Sequence, residues 1–433
     1  MFLLAWTVSQ VPANYFISSA TLASFTMNLA VVGAALLILS CFVLLTAYII
    51  YRNTPDAERI RHMVYRGLCC PAYGNPLGLK DGQFLPKVSC APVRSGRYEI
   101  AVTGASVAME TIAKSASRIS SLINGKFQRY AVVYVDGGPD YYKTTFCIED
   151  VVQDRSLTYK AVEEMYNYDP TKLLVQAGTA IDLTASGSIL AAGKTRSGKT
   201  TGIIALLLQV LQRKRDDFGS EIAIIDPKQA ELSRLPHVTT LDGDGGARLI
   251  LQAVRDFAAA ITERQQKLND LSQRCGNAVH WWEAGMRPSF LFIDEYVACR
   301  SLFPKKAAKD DPDYCLATFD DLIKRIVTMG ASAGCFVIIS IAQASVEEGG
   351  LPSMLRAAMS TKILFRPTEE EGRLLWPGPS LETLATARKY APGDAWFSST
   401  DGEHDSPGYV HFPHMDFPVY KELGRLLKEY YGD

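Results

Sequence analysis

Apolar and polar positions alternate along this chain with several distinct periods, and each period predicts a different element. Leu29 to Tyr51 is apolar apart from Ser40 and Thr46, and residues 1–51 contain no Lys, Arg, Asp, Glu or His. A helix over that run measures roughly 35 Å, enough to cross a bilayer core of about 30 Å. Met1 to Ile17 is apolar but interrupted by Ser9, Gln10, Pro12 and Asn14, so it reads as a short first span or as an interfacial segment. Two spans place the N-terminus inside; one places it outside.

Residues 53–89 are rich in proline and glycine, which predicts a linker with little regular structure. Beyond it the pattern predicts a strand over Tyr98 to Gly104, an amphipathic helix over Val107 to Asn124, and strands over Tyr130 to Asp136 and Thr144 to Val151. That order implies a small α+β domain, and its lack of clustered titratable groups points to a spacer or assembly role.

The second half reads as alternating buried strands and helices. Ser188 to Ala192 is an apolar run followed by Gly193-Lys-Thr-Arg-Ser-Gly-Lys-Thr200, and a helical pattern continues from Thr201 to Gln212. This is the spacing of a Walker A loop, in which backbone N–H groups and a helix N-terminus surround phosphate oxygens. Gly193, Lys194, Thr195, Arg196, Ser197, Gly198, Lys199, Thr200 and Thr201 are therefore the candidate nucleotide-binding residues. Lys199 is expected to reach the β- and γ-phosphates of ATP, and the Thr200 hydroxyl to ligate Mg²⁺.

Phe290 to Ile293 delivers Asp294 and Glu295 at the end of an apolar strand, as a Walker B segment does. Asp294 is assigned to the Mg²⁺ shell and Glu295 to polarising the attacking water. Cys335 to Ile341 is a further buried strand leading to Gln343, a candidate sensor of the γ-phosphate. Glu221 to Ile225 ends in Asp226-Pro227-Lys228, where function and an ordinary turn are equally good readings. The helix over Gly246 to Leu271 carries Arg255, Arg264 and Lys267, with Arg274 just beyond, and a solvated face is the favoured account of all four.

Composition narrows the picture. A formal net charge of −1 argues against a globally basic nucleic-acid coat, so any DNA contact must come from a local basic surface or a ring of subunits. Nine scattered cysteines without a CxxC pair favour a reduced interior. His404, His411 and His414 are too loosely spaced to read as a metal site. Arg52, Arg59, Arg61 and Arg66 follow the apolar run directly, which by the positive-inside rule makes the large C-terminal part cytoplasmic.

The order of these motifs resembles the FtsK/SpoIIIE DNA translocases, and within them the TcpA-type conjugative coupling proteins. The resemblance rests on the P-loop, Ile225 to Lys228 with Glu231-Leu-Ser233, Ile261 to Leu268, Phe292 to Ala298, Gly330 to Gly334 and Gln343, and covers about residues 170–376. It implies an α/β, RecA-like P-loop NTPase motor. The motor would follow an N-terminal transmembrane segment and a small α+β domain, assemble as a ring, commonly a hexamer, and drive DNA through its pore. An arginine from a neighbouring subunit would complete each site, and Arg356 and Arg366 match that region. Lys194 and Arg196 make the loop more basic than is usual in the family, and Ser345 stands where those translocases often have Arg-Pro. His411 to Asp433 is too short for the DNA-reading winged helix of chromosome translocases.

The expected organisation is a membrane segment over 1–52, a linker over 53–92, an assembly domain over 93–165, the ATPase domain over 166–415 and a C-terminal helix over 416–433. The leading expectation is a membrane-anchored, ATP-driven DNA translocase serving as coupling protein of a conjugative or integrative element. It would sit in the bacterial cytoplasmic membrane, with a relaxase and type IV secretion channel proteins as partners. The alternatives are a chromosome-partitioning translocase, a type VII-like protein-secretion ATPase and a non-catalytic nucleotide-binding scaffold.

Overall fold

The computed structural model describes residues 19–70, 76–80, 82–94, 96–104, 107–137, 142–241, 245–342, 351–376, 381 and 390–432. The question of a first membrane span, and the candidate sensor Gln343, fall outside them.

The apolar run forms one helix, Ser19–Asn53. Its segment Ser24–Asn53 is long and apolar enough to cross a membrane and is unburied by the rest of the protein. Apolar side chains project on every side of it rather than along one stripe.

Residues 53–89 depart from the linker expectation. A second helix, Asp56–Cys69, follows at once, with Asp56 and Glu58 in its first turn and Arg66 in its last, the charge order a helix dipole favours. Its buried face, Ile60, Val64 and Leu68, has helical spacing that the flanking prolines and glycines mask. Gly67 lets it approach the helix Ala116–Leu122 closely, since a Cβ there would collide with the Leu122 side chain.

That helix covers a four-stranded antiparallel sheet built from β1 (Lys87–Arg94), β2 (Arg97–Thr103), β3 (Tyr130–Asp136) and β4 (Lys143–Asp150), in the order β1-β2-β4-β3. Strand β1 begins inside the expected linker. The single helix expected over Val107 to Asn124 is two, Met109–Ala113 and Ala116–Leu122. Ile60, Val64, Ile100, Val102, Ile119, Val132, Phe146 and Ile148 form a core separate from those of the larger unit.

The larger unit begins with a short strand, β5 (Thr158–Tyr159), and a hairpin, β6 (Lys172–Gln176) and β7 (Thr179–Asp182). Its main sheet contains β8 (Ile189–Ala192), β9 (Ile222–Asp226), β10 (Val238–Thr240), β11 (Ser289–Ile293), β12 (Cys335–Ile341), β13 (Thr361–Phe365), β14 (Asp394–Ser399) and β15 (Gly408–His411). The order is β10-β9-β11-β12-β8-β13-β14-β15, parallel from β10 to β13 and antiparallel at the last two strands. A two-residue strand, β16 (His414–Met415), pairs with β5.

Both sheet faces are covered, as continuous apolar strands require. Phe290 and Phe292 of β11 pack with the helices Lys199–Leu211 and Val419–Tyr431 on one face. Leu291 and Ile293 pack with Gly246–Cys275 and Leu316–Met329 on the other. The phosphate-loop strand β8 is separated from the acid-bearing β11 by one strand, β12. This is the RecA-like P-loop arrangement, and it brings the C-terminal ends of β8, β9, β11 and β12 to one edge.

Arg264 corrects the solvated-face reading of the long helix. It is buried, and its guanidinium donates to the carbonyls of Ala333 at 2.8 Å and Arg287 at 2.7 Å. It thus ties the helix to the N-terminal ends of β11 and β12.

Candidate nucleotide-binding and hydrolysis site

The loop from Gly193 to Thr200 leaves β8 and enters the helix Lys199–Leu211, and its conformation explains its residue types. Gly193 has φ +154° and Gly198 φ +91°, in the region that favours glycine. A Cβ at Gly193 would meet Ser197 Oγ at 2.8 Å and Phe365 Cβ at 2.9 Å; at Gly198 it would meet Gly393 N at 2.6 Å. Arg196, at φ +63°, takes a left-handed conformation without that freedom.

Ser197 N–H donates to the Lys194 carbonyl at 3.1 Å, which closes the turn. Lys194, Thr195 and Arg196 are exposed at its tip, Thr200 is half-buried and Thr201 exposed. Among the described residues, the N–H groups of Gly198, Lys199 and Thr200 have no backbone acceptor, as the first turn of a helix requires, and Ser197 Oγ is buried without a partner. A curved loop of free N–H groups above a helix N-terminus, with a cationic side chain in it, fits a nucleotide's phosphates.

Lys199 is buried, and its ammonium donates to the Ile341 carbonyl at 3.0 Å and to Glu295 Oε1 at 3.3 Å. The first contact ties it to the end of β12, the second to the end of β11. Glu295 takes φ +51° as the chain turns from β11 into the helix Tyr296–Ser301. Strained backbone at such a position is characteristic of sites that aim a side chain. Lys228 approaches the same Glu295 oxygen at 3.2 Å.

Asp294 is buried, and its Oδ1 accepts the Ser340 hydroxyl at 2.8 Å. Burial raises its carboxyl above the usual aspartate range, opposed by the Ser340 hydrogen bond and the Lys199 charge and reinforced by Glu295 and Asp226. A hydroxyl from Thr200 and a carboxylate from Asp294 suit a hard cation that brings other oxygen ligands with it. Among the described residues no three His, Cys, Asp or Glu side chains group to hold a metal alone, so Mg²⁺ would share its coordination with phosphates and water.

Asp226 has a structural task. Its carboxylate accepts N–H groups from Lys228 at 3.0 Å, Ala230 at 2.9 Å and Ser233 at 3.1 Å, so it organises the turn that carries Lys228. Arg356 Nη1 donates to the Leu374 carbonyl at 3.0 Å, whereas the Arg366 side chain is exposed and its N–H is held by the Asp394 carbonyl at 2.8 Å. The structure therefore brings together the P-loop, Asp294 and Glu295; among the described residues neither arginine side chain hydrogen-bonds to that cluster, although Phe365, beside Arg366, packs against Gly193. His404 pairs with Asp401 and His411 with Asp394, which accounts for both without a metal.

Sequence reasoning missed Ser340 and Gly393. Ser340 lies within an otherwise apolar strand, where its lone hydroxyl is the only signal. Gly393 sits in a Pro-Gly-Asp turn that marks only a strand boundary.

The site's geometry can be set beside known proteins. No family model matches the chain. The FtsK domain-containing protein YdcQ of Bacillus subtilis (strain 168) is 27% identical over 152 residues, covering 35% of this chain and 28% of YdcQ. DNA translocase FtsK of Pseudomonas syringae pv. tomato (strain ATCC BAA-871 / DC3000) is 24% identical over 369 residues, covering 73% of this chain and 43% of that protein. The chain is FtsK-like in sequence. It spans less than half the length of these curated relatives. Among solved structures, that of the pCW3 conjugation coupling protein TcpA is 13% identical and covers 87% of this FtsK-like chain and 99% of its own, with a TM-score of 0.48.

Proposed function

We propose that this protein is a membrane-anchored ATPase that couples ATP hydrolysis to the movement of DNA, as the coupling protein of a conjugative or integrative mobile element. The observation that carries the ATPase reading is the meeting of Lys199 with Glu295 at 3.3 Å, at the edge where β8 and β11 end. A phosphate-binding lysine and a carboxylate able to polarise water then share one cradle.

In this reading the P-loop amides and Lys199 would hold the phosphates, and Thr200 and Asp294 would hold Mg²⁺, which would supply charge neutralisation on the transferring phosphoryl group. Glu295 orients the attacking water. The exposed Arg366 is a better candidate than Arg356 to reach a neighbouring subunit's site, because Arg356 is engaged within its own chain.

DNA as substrate is supported by the sequence similarity to DNA translocase FtsK. Membrane anchoring is supported by Ser24–Asn53, and a cytoplasmic motor by Arg52, Arg59, Arg61 and Arg66. A homo-hexameric ring, a relaxase and a type IV secretion channel complete the proposal.

The deciding experiment is phosphate release by the full chain in detergent, with and without DNA, across a salt series. Stimulation by DNA that fades with salt is expected. A protein inert toward ATP with every polynucleotide would refute the reading.

A further inference from the structure

Two lysines share one oxygen at this site, and only one of them belongs to the phosphate loop. Lys199 Nζ lies 3.3 Å and Lys228 Nζ 3.2 Å from Glu295 Oε1. The Lys199 side chain is 7% exposed and that of Glu295 16%, whereas that of Lys228 is 49% exposed. The inner ion pair is thus largely removed from water, and the outer cation is half in it.

The position of Lys228 is fixed by its surroundings. The buried Asp226 carboxylate collects three N–H groups around the turn that carries it, and the next residue, Gln229, takes a left-handed conformation at φ +52°. The two strands are laced together at this point, because Asp294 N–H donates to the Ile225 carbonyl at 3.0 Å. A lysine arriving by chance on a solvent-exposed loop would need none of this.

We propose that Lys228 is a positioning residue that shares the Glu295 carboxylate with Lys199, so that Lys199 can leave it for a nucleotide's phosphates. The inference rests on the ATPase reading above. A carboxylate largely removed from water is costly to leave without a counter-charge. Were Lys199 the sole partner of Glu295, each phosphate bound would strip that carboxylate of its cation. With Lys228 in place, Glu295 keeps an ammonium partner when Lys199 turns to the phosphates. Lys228 therefore acts on nucleotide affinity through Glu295, and it is expected to have no effect once Glu295 is neutral.

A double-mutant cycle tests this, with affinity for a fluorescent N-methylanthraniloyl ATP analogue and Mg²⁺ as the equilibrium readout on the full chain in detergent. Lys228→Met should weaken binding about threefold or more in the otherwise native chain, in line with coupling between contacting residues. In a Glu295→Gln background the same substitution should change affinity less than about twofold, and Lys228→Arg should retain near-native affinity. Equal weakening in both backgrounds would mean that Lys228 touches the nucleotide directly, and would overturn the proposal. So would unchanged or tighter binding by Lys228→Met. A native chain that binds no nucleotide would refute the ATPase reading and this inference with it, an outcome distinct from those that refute the inference alone.

Discussion

Gly393 donates its N–H to the Ser197 carbonyl at 3.0 Å, so the phosphate loop is tied to the turn that opens β14. Gly393 itself has φ +93°, and its carbonyl accepts Phe412 N–H at 2.9 Å. The turn therefore links the loop to the end of β15 through backbone alone.

Replacing Gly393 by alanine should act on the loop at a distance. The left-handed backbone costs a β-carbon about 1–2 kcal/mol, and the added carbon would stand 3.4 Å from His411 Cε1. A melting temperature lower by a few degrees is expected, together with weaker nucleotide binding. Thermal melts and a nucleotide titration check it; unchanged affinity would show that the loop holds its shape without this tie.

Glu295→Gln and Lys199→Ala should separate binding from turnover. The amide keeps the shape of the side chain and frees Lys199 from an ion pair, so ATP should bind while hydrolysis falls by about 10²- to 10⁴-fold. Lys199→Ala should abolish turnover and leave membrane insertion intact. Single-turnover phosphate release with a binding assay measures both, and rapid hydrolysis by Glu295→Gln would remove the assigned role.

Much of this site is legible in the sequence because its parts are local. The P-loop is one contiguous run in which Gly193 and Gly198 mark two of the three positions of positive φ, and the acids close an apolar strand that can only be buried. What the sequence leaves open depends on distant residues. Nothing near Lys228 announces Glu295, and Ser340 reads as one polar interruption in a strand. Arg264 reads as solvated because its neighbours on the helix are charged, whereas its partners are carbonyls 23 and 69 residues away. The helix Asp56–Cys69 is hidden when prolines and glycines are counted and the period of its apolar residues is not.

Asp294 should show the conflict between stability and function. Burial raises its carboxyl in the folded state, so the folded protein holds this proton more tightly than the unfolded chain does. Stability is then lost as pH rises through the ordinary aspartate range toward the raised value, and stays lost above it. Asp294→Asn removes that cost while keeping an acceptor for Ser340. At pH 7 to 8 it should be at least as stable as the native chain, with any gap closing toward acid. Its Mg²⁺-dependent nucleotide affinity should fall roughly tenfold or more. Denaturation at two pH values and a Mg²⁺ titration test the two halves separately.

Asp394 should behave in the opposite sense. Its carboxylate accepts the Tyr409 hydroxyl at 2.6 Å, His411 Nδ1 at 2.5 Å and the Ala391 N–H at 2.6 Å. Burial alone would raise this carboxyl, but the hydrogen bonds from Tyr409, His411 and Ala391 outweigh it and hold it below the usual aspartate range. A lowered folded-state value means that the stabilisation is complete above the unfolded carboxyl's titration near pH 4 and is lost as pH falls through the folded one. Asp394→Asn should therefore cost about 2 kcal/mol at pH 7, typical of hydrogen bonds to a charged group. The cost should begin to shrink below about pH 4, where the unfolded chain's carboxyl gains its proton, and be lost below the lower pH at which the native carboxyl gains its own. Because the Asp394 carbonyl also holds Arg366 N–H, and Gly393 beside it holds the phosphate loop, the substitution should weaken nucleotide binding as well. Urea unfolding of both chains at pH 7 and near pH 3.5 measures the gap, and a gap independent of pH would show that the carboxylate's charge is not its source.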